Sequence, residues 1–150
     1  MRITIAAVGR LRNGPIRDLI SDYTKRLPWD LTIREIAEGR QPGRRKDDEA
    51  TALLATVTDG AGIIALDERG KDLTSEALAD WLAKRQDDGQ RDWTILIGGA
   101  DGLGALVLDR ADMVLSLGRL TWPHMLARLL VVEQLYRAHT IQIGHPYHRE

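Results

Sequence analysis

Apolar and polar positions along this chain switch between the period of a strand and that of a helix. Arg2–Val8 is a short β-branched and apolar run closed by Gly9, which predicts a strand. Pro15 then opens a helix at its preferred first position. Ile16, Leu19, Ile20, Tyr23 and Leu27 recur along one face, and Pro28 ends it. Leu31–Ile36 alternates as a second strand. Ala50, Leu53, Leu54 and Val57 share a helical face that closes near Gly60. Gly62–Asp67 reads as a buried strand. Thr74 caps a helix carrying Leu78, Trp81 and Leu82, with Glu76 in the favourable first turn. Trp93–Ile97 is another buried strand, and a glycine-rich loop follows over Gly98–Gly104. A short helix over Ala105–Arg110 leads to a strand at Met113–Leu117. After the loop Gly118–Trp122, a long helix runs from Pro123 to about Ala138.

Strand-like and helix-like segments therefore alternate, which predicts one α/β domain over residues 1–150 with a mostly parallel sheet flanked by helices. The last helix is apolar almost all round: Met125, Leu126, Leu129, Leu130, Val131, Val132, Leu135 and Tyr136. A surface helix leaves one side polar. This one must be covered on two sides, either inside its own chain or by a second copy, and a homodimer is the expectation.

Composition narrows the chemistry. With 43% hydrophobic residues the chain can build a core, so it is not a disordered segment. It has no cysteine, which removes disulfides, thiolate metal sites and a cysteine nucleophile. The opening apolar run is too short for a signal peptide. No stretch approaches the roughly 20 apolar residues that span a bilayer. A soluble, cytoplasmic protein is expected, with no membrane partner. The net charge of −1 hides an asymmetry, because residues 1–46 carry +6 and residues 47–150 carry −7. The basic part includes the segment AEGRQPGRRK at 37–46, which reads as a mobile loop. Arg40, Arg44, Arg45 and Lys46, helped by Arg10 and Arg12, form a candidate nucleic-acid contact or a solvated loop.

Three strand ends offer a ligand site. LIGGADGLG at 96–104 is neither a P-loop nor a dinucleotide fingerprint, for it lacks the Gly-Lys-Ser/Thr and the G-x-G-x-x-G orders. Glycines at a strand end either make a tight turn or let backbone amides approach a ligand. IALDERG at 64–70 and LGRLTW at 117–122 are the other two ends. None supplies a phosphate-gripping lysine, so the trio suits a nucleoside-like ligand better than a triphosphate. The terminal HPYHRE gathers His145, Tyr147, His148 and Arg149. It is either a solvated tail or a proton acceptor beside an anion-binding arginine. No third ligand stands near the two histidines, so no metal is expected. Glu133 and Arg137 stand four apart on the long helix, as an ion pair or as interface or site residues.

LIGGADG, then LGRLTWPHMLARLLVVEQLYRA, then the ending HPYHRE resemble the bacterial family that methylates N3 of a pseudouridine in large-subunit (23S) ribosomal RNA. That family lies in the SPOUT superfamily of α/β-knot methyltransferases, and the likeness spans the whole chain. The resemblance implies a C-terminal trefoil knot, which periodicity could not suggest because knots are otherwise near-absent. It implies S-adenosylmethionine as cofactor, cradled by Leu66, Gly98, Gly99, Leu117, Gly118, Arg119, Leu120, Thr121 and Trp122. Trp122 stands where the family has leucine, which changes only the local pocket shape. It implies a homodimer and an acceptor at pseudouridine 1915, within the large subunit or the 70S ribosome. His148 is then the leading candidate for the base that removes the N3 proton. Arg149 would hold a phosphate or a developing oxyanion, and Tyr147 would stack on the base. A non-catalytic nucleoside-binding module and a ribosome-associated assembly factor remain the alternatives.

Overall fold

A computed structural model describes residues 1–149. Its elements in chain order are β1 (Arg2–Val8), α1 (Pro15–Arg26), β2 (Asp30–Ile36), α2 (Arg45–Leu54), β3 (Gly62–Asp72), α3 (Ser75–Asp87), β4 (Asp92–Ile97), α4 (Ala105–Arg110), β5 (Met113–Ser116) and α5 (His124–Gln142). The five strands form one sheet in the order β2-β1-β4-β3-β5, and every ladder is parallel. The mostly parallel α/β sheet expected from the alternation is thus present. Parallel strands buried on both faces need apolar residues on both faces, which is why β1 and β4 read as nearly unbroken apolar runs.

Side-chain alternation divides the core. Ile3, Ile5 and Ala7 of β1 and Trp93, Ile95 and Ile97 of β4 face α1, α3 and α5. Ala6 and Val8, with Leu96, face α2 and α4 through Ala50, Leu53, Leu103 and Val107. The long helix α5 packs against both α1 and α3. Its own chain therefore covers most of the circumference that looked two-sided in sequence. Met125, Leu126, Leu129 and Leu130 stay half-buried.

Several boundaries differ from expectation. The β3 strand continues past Leu66 through a register shift, so that Lys71 and Asp72 pair with Leu115 and Ser116. The bulge absorbs the charged DERG stretch, and this hid the extension from a hydrophobicity reading. Arg45 and Lys46 lie in the first turn of α2 rather than in the loop before it. Two cations at a helix N-terminus oppose the dipole, and Asp47 and Asp48 in the same turn offset them. That helix also stops at Leu54, short of Gly60. At the other end of the chain, α5 runs one turn beyond Ala138, to Gln142.

The link from β5 to α5 starts at the sheet edge and ends beside β1. A side chain added at Gly9, just after β1, would sit 3.0 Å from His124 Nε2, the first residue of α5. The link therefore crosses the C-terminal ends of β3 and β4, and that crossing forms one wall of the site.

Candidate active site

Ligands in open parallel sheets bind beyond the carboxyl ends of the strands. Here the ends of β3, β4 and β5 enclose a cleft of about 760 Å³, within the usual range for small-molecule sites. Of the nine residues proposed as a cofactor cradle, Leu66, Gly98, Gly99, Leu117, Gly118, Leu120, Thr121 and Trp122 line it. Arg119 belongs to the same loop but does not line the cleft.

Each wall has a local cause. A Cβ at Gly98 would lie 2.7 Å from the backbone carbon of Gly102, so the turn after β4 closes only with glycine there. Gly118 has φ +94°, and its conformation redirects the chain after β5. Trp122 Nε1 donates to the Leu117 carbonyl at 3.1 Å, which closes this loop upon itself and holds the indole against the cleft. Leu120 is 71% exposed at the rim.

Charged residues of the first two strand ends, Asp67, Glu68, Arg69 and Asp101, also line the cleft, as does Lys46, which sequence reasoning placed only in the basic loop. Arg69 donates to both carboxylate oxygens of Asp67, at 2.9 and 3.2 Å. That hydrogen bonding holds the Asp67 carboxyl below its ordinary range, and Lys46 adds a weaker pull in the same direction. Behind the glycine turn, Glu49 is 2% exposed. Its Oε1 accepts from the Gly39 N–H at 2.9 Å. A Cβ on Gly99 would meet its other oxygen at 3.0 Å. No pattern marked Glu49, because an acidic residue on an amphipathic helix ordinarily faces water.

The tail lies elsewhere. Tyr147 donates its hydroxyl to Glu133 Oε1 at 2.9 Å and accepts from the Tyr23 hydroxyl at 3.0 Å. Burial, then these two partners, pushes its phenol well up from its ordinary value. Arg137 donates to the same Glu133 oxygen from Nη2 at 2.5 Å. Its Nη1 faces His148 Nδ1 at 3.3 Å. His148 Nε2 pairs with Glu76 at the start of α3. Arg149 is exposed. Glu133 and Arg137 are thus an i, i+4 ion pair, the first reading of that spacing, and the pair also anchors the tail of its own chain. None of the tail's partners lines the cleft of its own chain.

The basic residues are spread out. Arg10, Arg12, Arg40, Arg44 and Lys46 are exposed, whereas Arg45 is half-buried. Arg45 Nε donates to the Gly39 carbonyl at 3.0 Å, and its guanidinium lies 3.7 Å from Asp101. Among the described residues, no group of three or more His, Cys, Asp or Glu is placed to hold a metal. Nor, among the described residues, is any helix long and apolar enough to cross a membrane.

Parallel strands whose carboxyl ends and crossing link surround one cleft define a small-molecule site of the open α/β type, and the family match says which class it belongs to. The family described as "Predicted SPOUT methyltransferase" matches residues 1–148. The solved structure of the SpoU methyltransferase AviRb from Streptomyces viridochromogenes aligns with a TM-score of 0.51 at 14% identity, over 96% of this chain and 61% of that one. At that identity it speaks for the fold alone. Nearer relatives carry the name Ribosomal RNA large subunit methyltransferase H. The one from Rhizobium leguminosarum bv. trifolii is 51% identical over 99% of both chains. The one from Rhodospirillum centenum is 52% identical over the same shares. The chain belongs to the SPOUT methyltransferase family. A methyl donor of the S-adenosylmethionine type goes with that membership.

Proposed function

We propose that this chain transfers a methyl group from S-adenosylmethionine to N3 of a pseudouridine in large-subunit ribosomal RNA. It would act in the cytoplasm as a homodimer, on the large subunit or the assembled ribosome. The observation that carries this reading is the convergence of three strand-end turns on one cleft, in a chain 51% identical over 99% of its length to a protein named as a ribosomal RNA large subunit methyltransferase. The residues present suit the donor. The close-packed turn at Gly98 leaves its backbone open to the ligand, and Leu117, Leu120 and Trp122 offer apolar surface to an adenine ring. Asp67, Glu68 and Asp101 supply acceptors for hydroxyl and ammonium hydrogens. We read the crossing link between β5 and α5 as part of the trefoil knot that the family resemblance implies.

When bound, S-adenosylmethionine supplies a methyl group already activated on a sulfonium sulfur. The chain must align the acceptor nitrogen and remove its proton, since a protonated imide nitrogen is a poor nucleophile. His148 takes that proton, and Arg149 holds a phosphate or the developing carbonyl oxyanion. Tyr136, Arg137 and Arg26 already pack on the Tyr147 ring. Anchoring the tail is therefore the role we assign Tyr147, in place of stacking on the base. Because the tail docks away from the cleft of its own chain, it serves the cleft of a second copy, and this supports the homodimer. Arg10, Arg12, Arg40, Arg44 and Lys46 form the RNA contact, joined by the charge of Arg45.

The test is transfer of labelled methyl to ribosomes lacking the modification, with the modified nucleotide mapped. Label at N3 of one pseudouridine is expected. Donor binding without transfer to any RNA would leave only a nucleoside-binding module, and ribosome binding indifferent to the donor would leave an assembly factor. His148→Ala and Arg149→Ala should each lower turnover with donor affinity kept. Unchanged turnover in both would remove the tail from the chemistry.

A further inference from the structure

Both ring nitrogens of His148 are engaged, and the two partners differ in kind. Arg137 has only hydrogens to offer, so the nitrogen facing its Nη1, Nδ1, presents a lone pair. The other nitrogen, Nε2, faces a carboxylate oxygen of Glu76 and therefore carries the proton. The surroundings thus select one tautomer and one ring orientation.

We propose that Glu76 is a positioning residue for His148, one that takes the Nε2–H hydrogen bond and leaves Nδ1 as the basic nitrogen of the reaction. This rests on the reading of the tail as the source of the base.

Three further observations support it. First, Glu76 keeps its charge. Hydrogen bonding at its own backbone amide, then from Thr74, then from His148, holds its carboxyl below the ordinary range, so it stays charged when the imidazole gains a proton. Second, the Thr74 hydroxyl caps the helix independently by accepting from the Ala77 N–H at 3.1 Å. The end of α3 therefore does not need Glu76 in order to form. Third, Arg137 is committed to Glu133 through Nη2 at 2.5 Å and Nε at 3.1 Å, whereas its distance to Nδ1 is 3.3 Å. The interaction at Nδ1 is the loose one, and an incoming N3–H can displace it.

In the step itself, the N3–H bond breaks and its proton goes to Nδ1. The freed pair on N3 forms the new N–CH3 bond, and the pair of the breaking S–CH3 bond stays on sulfur. The imidazolium then lies between Glu76 and Arg137. The other groups facing the cluster are Glu133 and Tyr147 beside Arg137, Tyr23 and Arg26 from α1, and His145. Of these, Glu76 alone meets the imidazole with negative charge directly; Glu133 acts through Arg137.

The experiment compares the wild type with Glu76→Gln and Glu76→Asp, using ring-nitrogen NMR of the labelled full chain alongside methyl transfer to unmodified ribosomes. In the wild type, the resting imidazole should show its proton on Nε2. In Glu76→Gln the ring-nitrogen signals should show a weaker preference for the Nε2–H form, because a neutral amide oxygen is the poorer acceptor. With it, kcat should drop roughly tenfold, a part of the 10²–10⁴ that a positioned base supplies. Glu76→Asp should restore much of both. Donor affinity by calorimetry and the melting temperature should stay unchanged, which separates positioning from misfolding. Ring-nitrogen signals indifferent to Glu76→Gln overturn the proposal. So does a weakened Nε2–H preference with an unchanged or faster rate, which would make the pair a resting latch. If His148→Ala keeps full turnover, the reading of the tail as base fails and this inference falls with it, while the NMR still reports whether the pair exists.

Discussion

Arg128, wholly buried in the first turns of α5, donates from Nη2 to the carbonyl oxygens of both Val8 and Gly9 at 2.7 Å. One guanidinium thus ties the last helix to the end of the first strand. Burial lowers its readiness to stay charged, and Glu35 at 3.7 Å is the nearest compensation. Arg128→Ala leaves two buried carbonyls without a donor and opens a void. It should cost about 3 kcal/mol of stability, measured by urea unfolding. Arg128→Lys should recover part of this, since an ammonium can also donate to both oxygens.

Gly98→Ala tests the turn. The added methyl meets backbone, at 2.7 Å from the Gly102 carbon and 2.8 Å from its oxygen, and backbone cannot rotate aside. The turn must shift, so donor affinity should fall about tenfold, or roughly 1.4 kcal/mol, with a smaller loss of melting temperature. Calorimetry with S-adenosylmethionine and with its demethylated product reads the first, and a thermal melt the second.

Trp122→Ala removes a side chain that is 40% exposed and bonded only within its own loop at Leu117. Global stability should change by less than about 1 kcal/mol. Donor affinity should fall by about tenfold as the adenine loses an aromatic wall. Trp122→Leu, the residue that the family resemblance leads one to expect there, should bind nearly as well as the wild type.

The Asp67–Arg69 pair has a signed pH dependence. The Asp67 side chain is 7% exposed, and its folded pKa lies below the ordinary 3.8. Its stabilisation is therefore fully present above that ordinary value and is lost as pH falls through the lower folded one. Arg69→Gln should lower the urea midpoint at pH 7. The gap between variant and wild type should close in the acid, as pH falls below the ordinary carboxyl value and through the lower folded one.

The proposed RNA contact is separable by salt. Arg40→Glu with Arg44→Glu should weaken ribosome binding and flatten its salt dependence by roughly one logarithmic unit for each phosphate no longer neutralised. Donor binding should be spared. Arg45 is the poorer probe, because its side chain also ties Gly39 to α2.

Much of the fold was legible because parallel strands and amphipathic helices write their periods into sequence. The glycines at 98, 99 and 118 marked the cleft, since the backbone conformation and close approach found there admit little else. Polar residues acting against type were not legible. Arg128 and Glu49 sit at positions where helical patterning expects solvent, yet both are buried beneath the site. Glu76 looked like an ordinary favourable charge in a first helical turn. Its partner stands 72 residues away, and no local pattern reaches that far. The DERGKD extension of β3 was hidden because a bulge, and not alternation, brings it back into register.

The strand order sets the order of synthesis against the order of assembly. β1, made before the other strands described, lies inside the sheet between β2 and β4, and α5, made after all of them, completes its cover. Ile3 and Ile5 must therefore wait for Val131 and Val132 before water leaves them. Pairings between distant parts of a chain form slowly. A growing polypeptide of this kind stays incomplete until its final helix has emerged, and removal of even that helix alone would unmake the centre of the sheet.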